Sequence, residues 1–75
     1  MAEATFPIEL ESKVIECRTA PERTMLQEGH GICCDSRTSE RHSLERLKEI
    51  SAVCHKYGLY KMGAVIANIA KDSTR

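Results

Sequence analysis

Four cysteines (Cys17, Cys33, Cys34 and Cys54) and three histidines (His30, His42 and His55) are the side chains here whose chemistry reaches beyond packing. Thiolate and imidazole are preferred ligands of zinc, and a bound metal would brace a small core. His30-x-x-Cys33 is the one ligand-like spacing. No second knuckle repeats it, so Cys17 and either Cys54 or His42 would have to complete the tetrahedron from distant positions. Cys17, His30, Cys33 and Cys54 are therefore the candidate ligands of a zinc-braced alternative. The simpler expectation is that there is no cofactor and that the cysteines are buried as small hydrophobes. As nucleophiles the thiols would need a base. Cys54 and His55 are sequence neighbours and face different sides of a helix. His30 beside Cys33 or Cys34, flanked by Gly29 and Gly31, is the one place where a thiol could be activated. No third orienting group and no phosphate-binding glycine motif accompanies them. The chain is expected not to be an enzyme.

A second constellation lies further on. Ala52 to Asn68 resembles a helix-turn-helix DNA-binding unit, with small Cys54 in the first helix, Gly58 and Leu59 at the turn, and Ala64 and Ala67 at inward slots of the second helix. The resemblance implies a DNA-binding regulator that uses Lys56, Lys61 and Asn68. If Ala64 and Ala67 face inward, however, Met62, Gly63, Val65 and Ile66 turn towards the groove, where Arg, Lys, Asn and Gln normally read bases. Tyr60 also stands where a capping Ser or Thr is preferred. So apolar a surface suits a protein partner better. The leading expectation is a small regulatory or adaptor protein that binds a protein partner, or a second copy of itself as a homodimer, through its C-terminal helical hairpin. Met62, Val65, Ile66 and Ile69 would be its apolar anchors, with Lys48, Lys56 and Lys61, together with Arg41, steering an acidic partner.

These residues have to be positioned by local structure. From Thr5 to Arg18, Phe6, Ile8, Leu10 and Val14 share one parity and Glu9, Glu11 and Lys13 the other, the period-two pattern of a half-buried strand. Ile15 and Cys17 break it and place a bulge or turn near Ser12-Lys13; a helix from Pro7 is the competing reading. Ala20-Pro21-Glu22-Arg23 opens a short helix, since proline suits the first turn and Glu22 the positive end of the dipole. That helix is expected to run through Gln27 and end at Gly29, with Gly29 to Ser36 a loop or one short strand. Ser39 or Ser43 then caps an amphipathic helix. Leu44, Leu47, Ile50, Val53, Cys54 and Tyr57 line one side of it, opposite Glu45, Lys48, Glu49, His55 and Lys56. Gly58 ends it. Tyr60 to Lys71 resumes helical spacing, with a stripe of Met62, Val65, Ile66 and Ile69 beside Gly63, Ala64, Ala67 and Ala70. So much apolar circumference needs contacts on two sides, and the Gly63-x-x-x-Ala67 register allows close backbone approach. The fold class that follows is α+β and mostly helical: a short N-terminal strand or hairpin, a short helix and a C-terminal helical hairpin, with all-α as the alternative.

At 75 residues the chain is expected to be a single small domain over 1–75, frayed at 1–4 and 72–75. Such a chain buries only about 60% of its unfolded surface. It has no Trp, one Phe and two Tyr, which argues against a base-stacking platform. Its net charge of zero is unevenly placed. Residues 1–36 carry seven acids against three bases and residues 37–75 eight bases against four acids, so the halves are −4 and +4. Opposed halves can steer an acidic partner or attract each other within a monomer or across a dimer. There is no basic-then-apolar leader and no apolar run of spanning length, so the expected setting is cytoplasmic, with reduced thiols and no membrane partner.

Overall fold

The computed structural model of the protein describes residues 5–72. Of the ends expected to fray, 1–4 and 73–75 lie outside the described residues, and Asp72 closes the last helix. Strands β1 (Phe6–Leu10) and β2 (Lys13–Cys17) form an antiparallel hairpin. Helix α1 (Ala20–Cys34), a 3-10 turn (Ser36–Arg41) and helices α2 (Leu44–Lys56) and α3 (Tyr60–Asp72) follow. The fold is α+β and mostly helical.

The hairpin corrects the expected strand pattern. Leu10 pairs with Lys13, Ile8 with Ile15 and Phe6 with Cys17, so the connection is Glu11-Ser12 alone. Across such a turn, positions 15 and 17 share a face with 6, 8 and 10, and Val14 falls opposite Glu9 on the other side. Ile15 and Cys17, which looked like interruptions, are the core side of β2. Ile8, Leu10 and Cys17 are buried, whereas Val14 is 66% exposed. Glu11 and Ser12 both take positive φ, 50° and 69°, as in the type I′ turn whose twist suits a hairpin. Neither is glycine, and each left-handed residue costs about 1–2 kcal/mol. Arg23 Nε of α1 donates to the Pro7 carbonyl at 3.0 Å, tying β1 to the helix.

α1 is longer than its sequence suggests. Thr19 Oγ1 caps it by accepting the Glu22 N–H at 3.3 Å, and Pro21 sits in the first turn, where no helical hydrogen bond is lost. It does not stop at Gly29 but runs through Gly31 to Cys34, replacing the expected loop or strand. The reason is packing. A Cβ at Gly29 would lie 2.9 Å from Ile50 Cγ2 and 3.0 Å from Ile66 Cδ1, so glycine serves as the crossing point of α1 over α2 and α3. Leu26, Gly29 and Ile32 form its buried line.

Ser43 caps α2 by accepting the Arg46 N–H at 3.1 Å, and Gly58, at φ +80°, turns the chain into α3. α2 buries Leu47, Ile50, Ser51 and Cys54. α3 buries Met62, Gly63, Ile66 and Ala70, one helical stripe. That stripe meets both α2 and α1, the two-sided contact the composition demands. Val65 is not part of it: at 43% exposure it belongs to an outward arc with Lys61, Ala64, Ala67, Asn68 and Lys71. Among the described residues no helix is long and apolar enough to cross a membrane.

Candidate functional site

α2 and α3 are drawn together beside their shared turn. Ser51 Oγ, which is buried, donates to the Gly63 carbonyl at 2.8 Å, and the His55 ring comes within 2.9 Å of where a Gly63 Cβ would stand. Glycine permits that approach. Farther from the turn the α3 side becomes Ala67 and Ala70, and a groove of about 370 Å³ lies between the helices, lined by Lys48, Ser51, Ala67, Ala70 and Lys71. Small side chains make the floor, and two lysines contribute positive charge. Such a surface can take small apolar side chains flanked by carboxylates: the floor gains by losing water and the lysines select for acid. Ser51 and Lys71 were not singled out by sequence reasoning, and Ala67 and Ala70 were read as small packing residues of α3 and not as the lining of a site. The signal was Ser51, a polar residue on the apolar side of α2 between Leu47 and Cys54.

The predicted anchors fare unequally. Met62 (7% exposed) and Ile66 (0%) are core residues, so they are not available as surface anchors. The large stripe that looked like a contact surface is the one the domain itself buries. Ile69 is half-buried against that core, and Val65 alone of the four stands on the surface. Lys48 lines the groove. Lys61 lies elsewhere, lining a second depression with Glu11, Lys13 and the α2–α3 turn. Arg41 ends the 3-10 turn, beside Asp35, Arg37 and Glu40.

Two findings bear on the DNA-binding residues. The outward side of α3 is not the apolar one: Ala64 and Ala67 face out while Met62, Gly63 and Ile66 face in, the reverse of the expected slots. The helices nevertheless do not open as a helix-turn-helix does, at roughly 90–120°. Lys48 and Lys71, each far from the turn, line the same groove as Ser51 and Ala67, so α2 and α3 run side by side. Lys61 and Asn68 are exposed on the outward arc, but Lys56 is turned back to Glu22.

Glu22 gathers the start of α1 to the end of α2. Its carboxylate accepts from Lys56 Nζ at 2.6 Å and from the Tyr57 hydroxyl at 2.7 Å, and the Tyr57 oxygen in turn accepts the Arg18 N–H at 3.0 Å. The Lys56 hydrogen bond, then that of Tyr57, holds the Glu22 carboxyl below its ordinary range. The same carboxylate raises the Lys56 ammonium. Because the folded-state value of Glu22 is depressed, its stabilisation is present above the unfolded value, near pH 4.3, and disappears as pH falls through the folded one. Urea melts from pH 7 to 3 should therefore show wild type losing more stability than Glu22→Gln. Parallel losses would mean that the cluster contributes nothing. On the far side of α1, Glu28 accepts from Arg46 at 2.6 Å and lies 3.7 Å from His42 Nδ1. Much of the opposed charge of the two halves is thus matched within the chain.

Among the described residues no three His, Cys, Asp or Glu side chains are grouped to hold an ion, so the proposed set of Cys17, His30, Cys33 and Cys54 is not brought together. Cys17 and Cys54 are fully buried on different elements, and all four cysteines are free. Burial pushes the Cys17 and Cys33 thiols up. Burial, then neighbouring Cys33, pushes Cys54 to about 11. Such thiols stay protonated at neutral pH and are poor nucleophiles. Of the two thiols expected beside His30, it is the exposed Cys34 that His30 meets, with Sγ 3.9 Å from Nε2. The helical i, i+4 spacing of this pair was hidden while the segment read as a loop. No protein-family model, curated protein or solved structure matches the chain.

Proposed function

We propose that this is a small regulatory or adaptor protein that acts by binding another protein surface through the α2–α3 hairpin, not by catalysis. The observation that carries the reading is the groove lined by Lys48, Ser51, Ala67, Ala70 and Lys71, an open apolar floor bordered by positive charge. What supports binding over chemistry is the state of the groups that could react. The two most buried thiols lie in the core, the Glu22 carboxylate is spent on Lys56 and Tyr57, the exposed Cys34 and His30 pair lies on α1 outside the groove, and no carboxylate or imidazole lines the groove among the described residues.

The partner surface presents small apolar side chains next to carboxylates. Ala67→Glu tests this, because position 67 is exposed and a carboxylate there both fills the floor and repels an acidic partner. With the full chain at its natural level in its own cells, chemical cross-linking should give discrete adducts that Ala67→Glu removes without moving the thermal midpoint of the purified protein. An adduct pattern that the variant leaves unchanged would show that the groove is not the contact surface.

A further inference from the structure

We infer that the occupant of the groove is a second copy of this chain, which docks the outer face of its own β-hairpin there. The inference rests on the groove being the contact surface and adds the identity of the partner.

The outer face of the hairpin is made by Pro7 and Glu9 of β1 and Val14 and Glu16 of β2, all exposed. Pro7 is paired with Glu16, and Glu9 with Val14. Directly opposite side chains stand about 4.5–5.5 Å apart at Cβ, so this face is a checkerboard, apolar on one diagonal and carboxylate on the other. Val14, at 66% exposure, is the more exposed of the hairpin's two large exposed hydrophobics. Burying it would remove the cost of leaving a valine in water.

The charges sort the same way. Glu22 and Glu28, the acids of α1, are matched by Lys56 and by Arg46. Glu9 and Glu16 have no ion pair among the described residues. Among the described residues, the acids of the N-terminal half that are not ion-paired within the chain therefore lie on the hairpin, around an exposed valine. The groove is its complement, with Lys48 and Lys71 around Ala67 and Ala70. Each copy carries both surfaces on separate elements. The contact joins unlike surfaces, and when it is reciprocated about a two-fold axis, hairpin to groove and groove to hairpin, it closes as an isologous dimer.

Complementary charge reversal tests this directly. Glu9→Lys/Glu16→Lys makes hairpin and groove both basic; Lys48→Glu/Lys71→Glu makes both acidic. In sedimentation equilibrium of the full chain, wild type should associate, and each double variant alone should associate on the order of tenfold more weakly or worse. An equimolar mixture of the two variants should regain association as a mixed species. All four positions are exposed, so thermal midpoints should stay near wild type; if one falls, Glu16→Lys mixed with Lys48→Glu gives the same readout. A wild-type chain that stays monomeric up to millimolar concentration overturns the inference, and so does an assembly that the mixture fails to restore. If the chain is monomeric yet Ala67→Glu still removes the cellular adducts, the groove reading stands and its occupant is another acidic protein.

Discussion

Replacing Ile66 with alanine is expected to destabilise the protein by about 2–5 kcal/mol. For a chain of this length the whole stability is roughly 4–11 kcal/mol, so the loss is a large fraction of it and should lower the thermal midpoint by roughly 8–40 °C. Ile66 is fully buried, and its Cδ1 lies 3.0 Å from the position a Gly29 Cβ would take, at the crossing of α1 and α3. A truncated side chain there leaves a cavity that three elements would have to close together. Val65→Ala, one residue away, removes a side chain from the 43% exposed arc and should change stability by less than about 0.5 kcal/mol. Thermal melts of the two variants separate the inward and outward sides of α3. Equal effects would mean that the helix is rotated from the orientation described.

Gly29→Val should be nearly as damaging. Its Cβ would press on Ile50 Cγ2 at 2.9 Å and on Ile66 Cδ1 at 3.0 Å, with Cys54 Sγ at 3.5 Å. Each of these neighbours is itself buried, so none can swing away without opening the core. The expected cost is about 2–3 kcal/mol or more. Gly31, half a turn on, is the opposite case. A Cβ there meets nothing within 4 Å and the backbone is not left-handed, so Gly31→Ala should stabilise α1 by about 0.5–1 kcal/mol. Urea midpoints of the two variants should move in opposite directions. A Gly29→Val midpoint at or above wild type would refute the close crossing.

These two glycines also show what was and was not legible in the sequence. Local periodicity was enough for α2: its apolar side and its Gly58 stop stand within one segment, and of the two serines that could cap it the structure uses Ser43. The strand pattern of β1 was legible for the same reason. The end of α1 was not, because Gly29 followed by Gly31 resembles a stop signal unless it is known that α2 and α3 cross there. The turn of the hairpin was legible only approximately, as a bulge or turn near Ser12-Lys13, because Glu11-Ser12 lacks the Asn-Gly signature of its type, and one displaced residue moves every later side chain to the other face. α3 was expected over Tyr60 to Lys71 and runs one residue further, and of its expected stripe Met62 and Ile66 face the core, Ile69 is half-buried and Val65 faces out. With apolar residues most of the way round, its spacing alone could not tell whether Val65 or Ala70 faced the core. The candidate site suffered most from that ambiguity, since Met62 and Ile66 drew attention to a surface the fold buries and away from the small residues Ala67 and Ala70.

The most direct test of the central claim, that the groove between α2 and α3 makes this protein's functional contact, is lysine footprinting. The acylation rates of Lys48 and Lys71 in the native cell should be compared with those in the purified chain at low concentration, with Lys61, exposed and outside the groove, as reference. Lys48 and Lys71 should react several-fold more slowly in the cell while Lys61 changes less. If Lys48 and Lys71 label as fast in the cell as in dilute solution, relative to Lys61, the groove is not covered and does not make the functional contact.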